Sequence, residues 1–172
     1  MRWSLAHTLD APRALVERRL LSAERIAAAP DTMRTVREAT LLGSERGERV
    51  ITYAARFVVR DTVLPAALRR FASAVAWVER VTWSLDAHAG DFAVEPELPA
   101  ALKKRVRCMG HYALHAPDPL RTTRTVEIEL AIAVPFAAVR DAAEGAVRTL
   151  LEAHFDDEAR DLACGARSEP IA

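Results

Sequence analysis

The chain has 172 residues, 51% hydrophobic and 28% charged, a balance that suits one packed domain and excludes a disordered chain. Lys+Arg and Asp+Glu both number 24, so the formal net charge is zero and the positive surplus that a nucleic-acid backbone requires is missing. No apolar run approaches the roughly 20 residues of a membrane span, and the start MRWSLAHTLDAP lacks a signal-peptide core, so a cytoplasmic location is expected. Cys108 and Cys164 match no metal-ligand spacing and read as free thiols.

Residues 2–9 alternate, with Trp3, Leu5, His7 and Leu9 on one parity, which predicts a short strand. Asp10-Ala11-Pro12 then opens a helix, with Asp10 as its N-cap and Pro12 in its first turn. Leu15, Val16, Leu20 and Leu21 form its inner face. Ser22 caps a second, shorter helix through Ala29, ended by Pro30 and Asp31. Residues 32–42 and 49–60 read as strands joined around Gly43–Gly47. In the second, Ile51, Tyr53, Ala55, Phe57 and Val59 share a face; the first has no clean face. Leu64–Phe71 suggests a short helical turn.

Strands follow at 74–86, 88–95, 105–116 and 121–134. Val75, Trp77, Glu79, Val81, Trp83 and Leu85 share a face of the first, Phe92 and Val94 of the second, and Val106, Cys108, Tyr112 and Leu114 of the third. Glu95–Leu102 reads as a loop and Ala116–Pro119 as a turn. The last strand alternates most cleanly, with Val126, Ile128, Leu130, Ile132 and Val134 on one side. A long amphipathic helix from Phe136 to Cys164 completes the chain. Phe136, Val139, Ala143, Val147, Leu150, Leu151, Phe155 and Leu162 form its apolar stripe, Arg140, Asp141, Glu144, Arg148, Glu152, Asp156 and Asp157 lie mostly off it, and Gly165 is placed to cap it. Uninterrupted strands with short connections favour an antiparallel sheet, and helices segregated to the ends make the fold α+β.

This order resembles the START-like (SRPBCC) helix-grip superfamily, which includes the birch-pollen-allergen fold and the polyketide cyclases. The resemblance rests on the opening strand running into Asp10-Ala11-Pro12 with Leu15 and Val16, and on the long helix after Pro135. It rests also on Leu64-Pro65-Ala66-Ala67-Leu68-Arg69-Arg70-Phe71, Val78-Glu79-Arg80-Val81-Thr82-Trp83 and Val134-Pro135-Phe136, which look like a bacterial branch of uncharacterised proteins. The resemblance implies a curved antiparallel sheet of about seven strands wrapped around the terminal helix, with an apolar cavity between sheet and helix; chain length and the position of Gly165 give one domain over residues 1–165 and a disordered tail at 166–172. It brings no shared catalytic motif, so no catalytic residue and no cofactor is carried over. Gly43-Ser44-Glu45-Arg46-Gly47, with two glycines where many relatives have a glycine-rich loop, is not a phosphate loop: no Lys-Ser/Thr pair follows and no helix starts there.

The candidate ligand-binding residues are Tyr53, Phe57, Trp77, Glu79, Trp83, Phe92, Tyr112 and Phe155. The aromatic rings serve either as core or as cavity walls. Glu79 shares the inward parity of Trp77 and Trp83; it is either solvated or paired with an arginine where the strand twists, or a carboxyl with raised pKa in an apolar pocket. Of the five histidines, His7, His88, His111, His115 and His154, none has support as a zinc ligand; His154 reads as a surface residue, with the cavity mouth as the alternative. The leading expectation is binding or transport of a hydrophobic small molecule (lipid, polyketide or isoprenoid-like), with no nucleic-acid partner. The alternatives are a cyclase or dehydratase using Glu79 and a tyrosine, or an interaction protein whose cavity is filled by its own side chains. Ligand identity and oligomeric state are not written in the sequence.

Overall fold

The structure is a computed structural model that describes residues 1–64 and 75–168, with side chains as far as residue 165. Strand β1 (Arg2–Leu9) leads into helices α1 (Arg13–Leu20) and α2 (Ala23–Thr32). Strands β2 (Val36–Arg46) and β3 (Val50–Val59) and a 3-10 turn (Asp61–Val63) follow, then β4 (Ala76–Ser84) and β5 (Ala89–Pro96). A one-turn helix α3 (Ala100–Lys103), β6 (Val106–Asp118), β7 (Arg121–Ile132) and the long helix α4 (Ala137–Ser168) complete the order.

All seven strands form one antiparallel sheet in the order β1-β7-β6-β5-β4-β3-β2. The two edge strands are therefore β1 and β2, and α1 and α2 carry the chain from one edge to the other. From β2 the chain walks back as a plain meander until β7 pairs with β1. Helix α4 then packs against α1, β1 and β7. This is the α+β helix-grip architecture. No helix among the described residues is long and apolar enough to cross a membrane.

Period-two alternation makes the inner face. Ile51, Tyr53, Phe57, Trp77, Val81, Trp83, Phe92, Tyr112, Leu114, Val126, Ile128 and Leu130 are all buried in one core with Val16, Leu20, Leu151, Phe155 and Leu162. Edge position explains why β2 shows no clean face: only Val36 is buried, and the strand is interrupted by register shifts at Val36/Glu38 and Leu41/Gly43. Gly110 is a glycine of necessity. A Cβ there would lie 2.4 Å from Phe92 Cζ, so its absence lets the Phe92 ring rest on β6.

Several local expectations are corrected. Asp10 does not cap α1, whose N-cap position is held by Pro12 without a side-chain cap; the Asp10 carboxylate instead lies 3.8 Å from Arg121 Nε. Ser22 does cap α2, its Oγ accepting from Arg25 N at 3.1 Å, but the helix runs through Pro30 to Thr32. Proline removes one helical bond only, and Met33 N still closes onto Ala29 O at 2.8 Å. The β2–β3 turn lies beyond Gly43, closed by Gly47 N donating to Val50 O at 2.9 Å, with Gly43 inside β2 at the bulge. The expected helical turn over Leu64–Phe71 falls, beyond Leu64, outside the described residues. The loop after β5 contains α3. The expected turn Ala116–Pro119 is displaced to Pro119–Leu120, because an irregularity between His115 and Asp118 accommodates Pro117 within β6.

Two corrections concern α4. Gly165 is not its cap: the helix continues to Ser168, and a Cβ at Gly165 would sit 1.8 Å from Arg19 Nε, so glycine clears the path of an arginine from α1. The expected apolar stripe is exposed at its start, half-buried at Ala143, Val147 and Leu150, and enclosed only from Leu151 onward. Phe136 and Val139 are 70% and 56% exposed, whereas Leu151, Phe155 and Leu162 are enclosed.

Trp83 has no exposed surface and its indole N–H donates to Glu17 Oε1 at 2.8 Å. Replacing it with alanine is expected to lower unfolding free energy by roughly 3–5 kcal/mol in a urea titration. A loss below about 1 kcal/mol would mean the ring fills no core space.

Candidate functional site

Between the sheet and the C-terminal half of α4 lies a buried polar centre. Glu79 points inward from β4 and is 2% exposed. Tyr112 on β6 donates its hydroxyl to Glu79 Oε1 at 2.6 Å. Register explains the company: Glu79 faces Ala55 on β3 and Val94 on β5, and Tyr53 lies one inward position along β3, opposite Val81. Glu158, on the inner face of α4, receives two guanidinium groups. Arg25 Nη1 of α2 donates to its Oε1 at 2.8 Å, and Arg124 Nη2 of β7 to its Oε2. Arg25 Nε also donates to Leu20 O at 3.2 Å and Arg124 Nη1 to Phe155 O at 3.2 Å. Both arginines and Glu158 are almost wholly out of solvent.

Aromatic rings enclose this centre. Phe92 and Tyr112 are 4.5 Å apart between centroids, and Phe155 meets both at 5.7 and 6.0 Å. Arg124 Cζ lies 5.2 Å from the centroid of Tyr112, a cation–π arrangement. His154 is buried, 5.4 Å from Phe57, 5.1 Å from Trp77 and 5.6 Å from Phe155, which corrects the surface reading. Of the eight residues picked from the sequence, Tyr53, Phe57, Trp77, Glu79, Phe92, Tyr112 and Phe155 gather around the charged centre or the His154 ring cluster. Trp83 stands apart. It joins Glu17 of α1, whose Oε1 also lies 3.0 Å from His88 Nδ1.

The residues missed by sequence reasoning are Arg25, Arg124 and Glu158. Two of them carried a usable signal. Arg124 has the inward parity of Val126 and Ile128, and Glu158 fills the seven-residue gap between Phe155 and Leu162 in the apolar stripe. Asp157, read as off the stripe, is buried too, accepting from Thr35 N at 2.8 Å and Arg34 Nε at 3.2 Å.

Burial pushes the Glu79 carboxyl up to about 7, with the nearby Glu158 charge adding to the rise and Tyr112, Arg25 and Arg124 opposing it. Burial also acts to raise Glu158, but Arg124 and Arg25 outweigh it and hold that carboxyl below its ordinary value. Burial lowers His154 to about 4, so its imidazole is neutral. The Tyr53 and Tyr112 hydroxyls are pushed well above their ordinary range by burial and Glu79, and burial raises the Cys108 thiol to about 12. The centre therefore combines one carboxyl poised near neutrality, one fixed carboxylate and two fixed cations. Such a set can exchange a proton at Glu79 and stabilise negative charge beside the arginines. Among the described residues, no group of three or more His, Cys, Asp or Glu could hold a metal ion.

A surface groove of about 600 Å³ runs along the end of α2, the 3-10 turn and α4, lined among others by Met33, Thr35, Arg60, Val63, Ala153 and Asp157. Ala153 and Asp157, which line it, precede and follow His154 along α4.

Residues 4–163 match the family model described as "Protein of unknown function (DUF2505)", and the chain belongs to that family. No curated protein matches it. Among solved structures it is similar to the Zhui aromatase/cyclase of Streptomyces sp. R1128, at 14% identity and a TM-score of 0.67 over 94% of this chain and 93% of the other. A protein of Thermus thermophilus matches at 13% identity and a TM-score of 0.68, over 98% of this chain and all of the other (100%). A START superfamily protein of Mycobacterium smegmatis matches at 11% identity and a TM-score of 0.55, over 88% and 92%. At these identities the likeness is one of fold: the chain has the START/SRPBCC helix-grip fold.

Two outcomes follow for stability. Glu158→Gln leaves two buried guanidinium groups without their carboxylate and is expected to cost roughly 3–5 kcal/mol in urea unfolding; a cost below about 1 kcal/mol would show that neither cation depends on it. Glu79 binds its proton more tightly in the native state than at the ordinary value of 4.5, so the native state holds more protons than the unfolded chain up to about pH 7. Wild-type stability should therefore fall relative to Glu79→Gln as pH rises from 4.5 to 7, by roughly 3 kcal/mol in all. Parallel pH profiles for the two proteins would contradict the raised proton affinity.

Proposed function

We propose that this member of the DUF2505 family binds an apolar small molecule between the sheet and α4, with Glu79 and Tyr112 orienting its polar group. The observation that carries this reading is a carboxyl and a tyrosine hydroxyl held together inside an aromatic interior. Binding sites for small molecules characteristically join apolar walls to a few convergent polar groups, one of them with displaced proton affinity. A buried polar pair contributes little to stability compared with packed hydrocarbon, so recognition is a better account of its presence. The fold supports the reading: one solved protein that shares it is named an aromatase/cyclase and another a START superfamily protein. The surface groove beside Met33, Val63 and Ala153 gives a candidate access point, since Ala153 is the chain neighbour of His154. A lipid, a polyketide or an isoprenoid-like compound fits the aromatic lining equally well.

A second reading is favoured by the ring contacts around His154. Phe57, Trp77 and His154 touch one another and His154 meets Phe155, as expected of an interior filled by its own side chains in an interaction protein. A catalytic variant of the first reading uses Glu79 as acid or base in a dehydration or cyclisation, for which its position near neutrality is suited.

Native mass spectrometry of freshly purified protein, with organic extraction of whatever is released, separates these. The binding reading expects a reproducible mass adduct that extracts as an apolar compound; loss of water from that compound on incubation with the protein marks the catalytic variant. A bare mass from several preparations, together with no uptake of added long-chain or aromatic compounds, would favour the filled interior.

A further inference from the structure

The buried centre is short of one negative charge. Arg25 and Arg124 bring two guanidinium cations, and both lean on the single carboxylate of Glu158. Among the described residues, His7 of β1 also acts on Glu158 but lies 2.9 Å from its own carboxylate partner, Asp156. Tyr53 of β3, Cys108 and Tyr112 of β6 and His154 of α4 are all uncharged at neutrality. Among the described residues, that leaves Glu79 of β4 to balance the second cation, and its position leaves it partly protonated at pH 7. Two polar atoms of the centre are also left over: Arg124 Nε and His154 Nδ1 are buried without a hydrogen-bond partner among the described residues. An orphaned guanidinium donor in a low-dielectric interior with excess positive charge is suited to an anion.

We propose that the ligand carries a carboxylate, that this group lies against Arg124, and that its binding is coupled to the uptake of one proton by Glu79. The inference rests on the small-molecule reading above and names the chemistry of the recognised group. The coupling has a fixed sign. A carboxylate beside the arginines takes over the role of counter-charge and repels an ionised Glu79, so the complex favours protonated Glu79. In that state Glu79 becomes a donor as well as an acceptor and can bond the ligand oxygen while Tyr112 retains its bond to Glu79 Oε1. Linkage then requires affinity to be flat below the apo midpoint of Glu79 and to fall above it, by about tenfold per pH unit.

The test uses two matched pairs on the whole chain: dodecanoate with methyl dodecanoate, and 2-naphthoate with methyl 2-naphthoate. Affinities are measured by calorimetry at pH 6, 7, 8 and 9, in two buffers of different ionisation enthalpy so that proton uptake is read directly. At pH 6 at least one acid is expected to bind ten times or more tighter than its ester. Its affinity should fall about tenfold from pH 8 to pH 9 and about one proton should be taken up at pH 8. In Glu79→Gln, whose side chain keeps an acceptor for Tyr112, the acid should bind with no pH dependence and no proton uptake. Should that variant fail to fold, proton uptake by the wild type carries the test alone. Esters that bind as tightly as acids would overturn the inference and leave the small-molecule reading standing. Equal pH profiles for wild type and Glu79→Gln would overturn the role of Glu79. No binding of any of the four would overturn the inference, and the parent reading would fail with it only if native mass spectrometry also shows no adduct.

Discussion

Arg25 and Arg124 share one carboxylate in the middle of the molecule, and most of the remaining organisation can be understood from that contact. Glu158 belongs to α4, Arg25 to α2 and Arg124 to β7, so a single side chain joins the terminal helix to an N-terminal helix and to the sheet. Ion pairs this deep are costly to desolvate and give little net stability over a packed hydrocarbon core. Their usual contribution is to fix geometry. Here they set the depth and rotation of α4, which brings Phe155 onto Phe92 and Tyr112 and turns His154 towards Phe57 and Trp77.

The same helix is fastened at neighbouring turns. Arg19 of α1 reaches Asp161 at 3.0 Å, Thr35 N donates to Asp157 at 2.8 Å, and His7 of β1 lies 2.9 Å from Asp156. All these anchors sit in the C-terminal half. Phe136 and Val139, at the other end, are exposed although they continue the same stripe. Between these ends Ala143, Val147 and Leu150 pack on the core and Arg148 Cζ lies 5.7 Å from the Trp3 ring centroid, so polar anchoring gives way to apolar contact and then to solvent along the helix.

Much of this was legible in the sequence. Alternation in β3, β4, β6 and β7 put the right residues inward, Glu79 among them, because strand parity depends only on the pleat and survives errors at strand ends. The ends themselves were misplaced wherever proline or glycine was read as a terminator. Pro30, Pro117, Gly43 and Gly165 all lie inside elements, each accommodated by a last helical turn, a bulge or a neighbouring arginine that sequence spacing does not reveal. The charged centre was the larger omission. Arg124 and Glu158 occupy inward positions, yet a charge in an apolar pattern reads as an interruption until its partner is known, and these partners are 34 residues apart in the chain. Arg25 had no such signal, since α2 is short and only Ile26 and Ala29 share its buried face.

Glu79 holds its proton near neutrality because burial strips its carboxylate of water while both arginines are committed to Glu158. Carbon-13 NMR titration of protein labelled at the glutamate carboxyl carbons tests this directly, with Glu79 and Glu158 assigned by their glutamine variants. The account predicts a Glu79 resonance titrating near pH 7 and a Glu158 resonance that stays ionised down through the ordinary value of 4.5. A Glu79 midpoint near 4.5, or a Glu158 that takes up its proton first as pH falls, would contradict it.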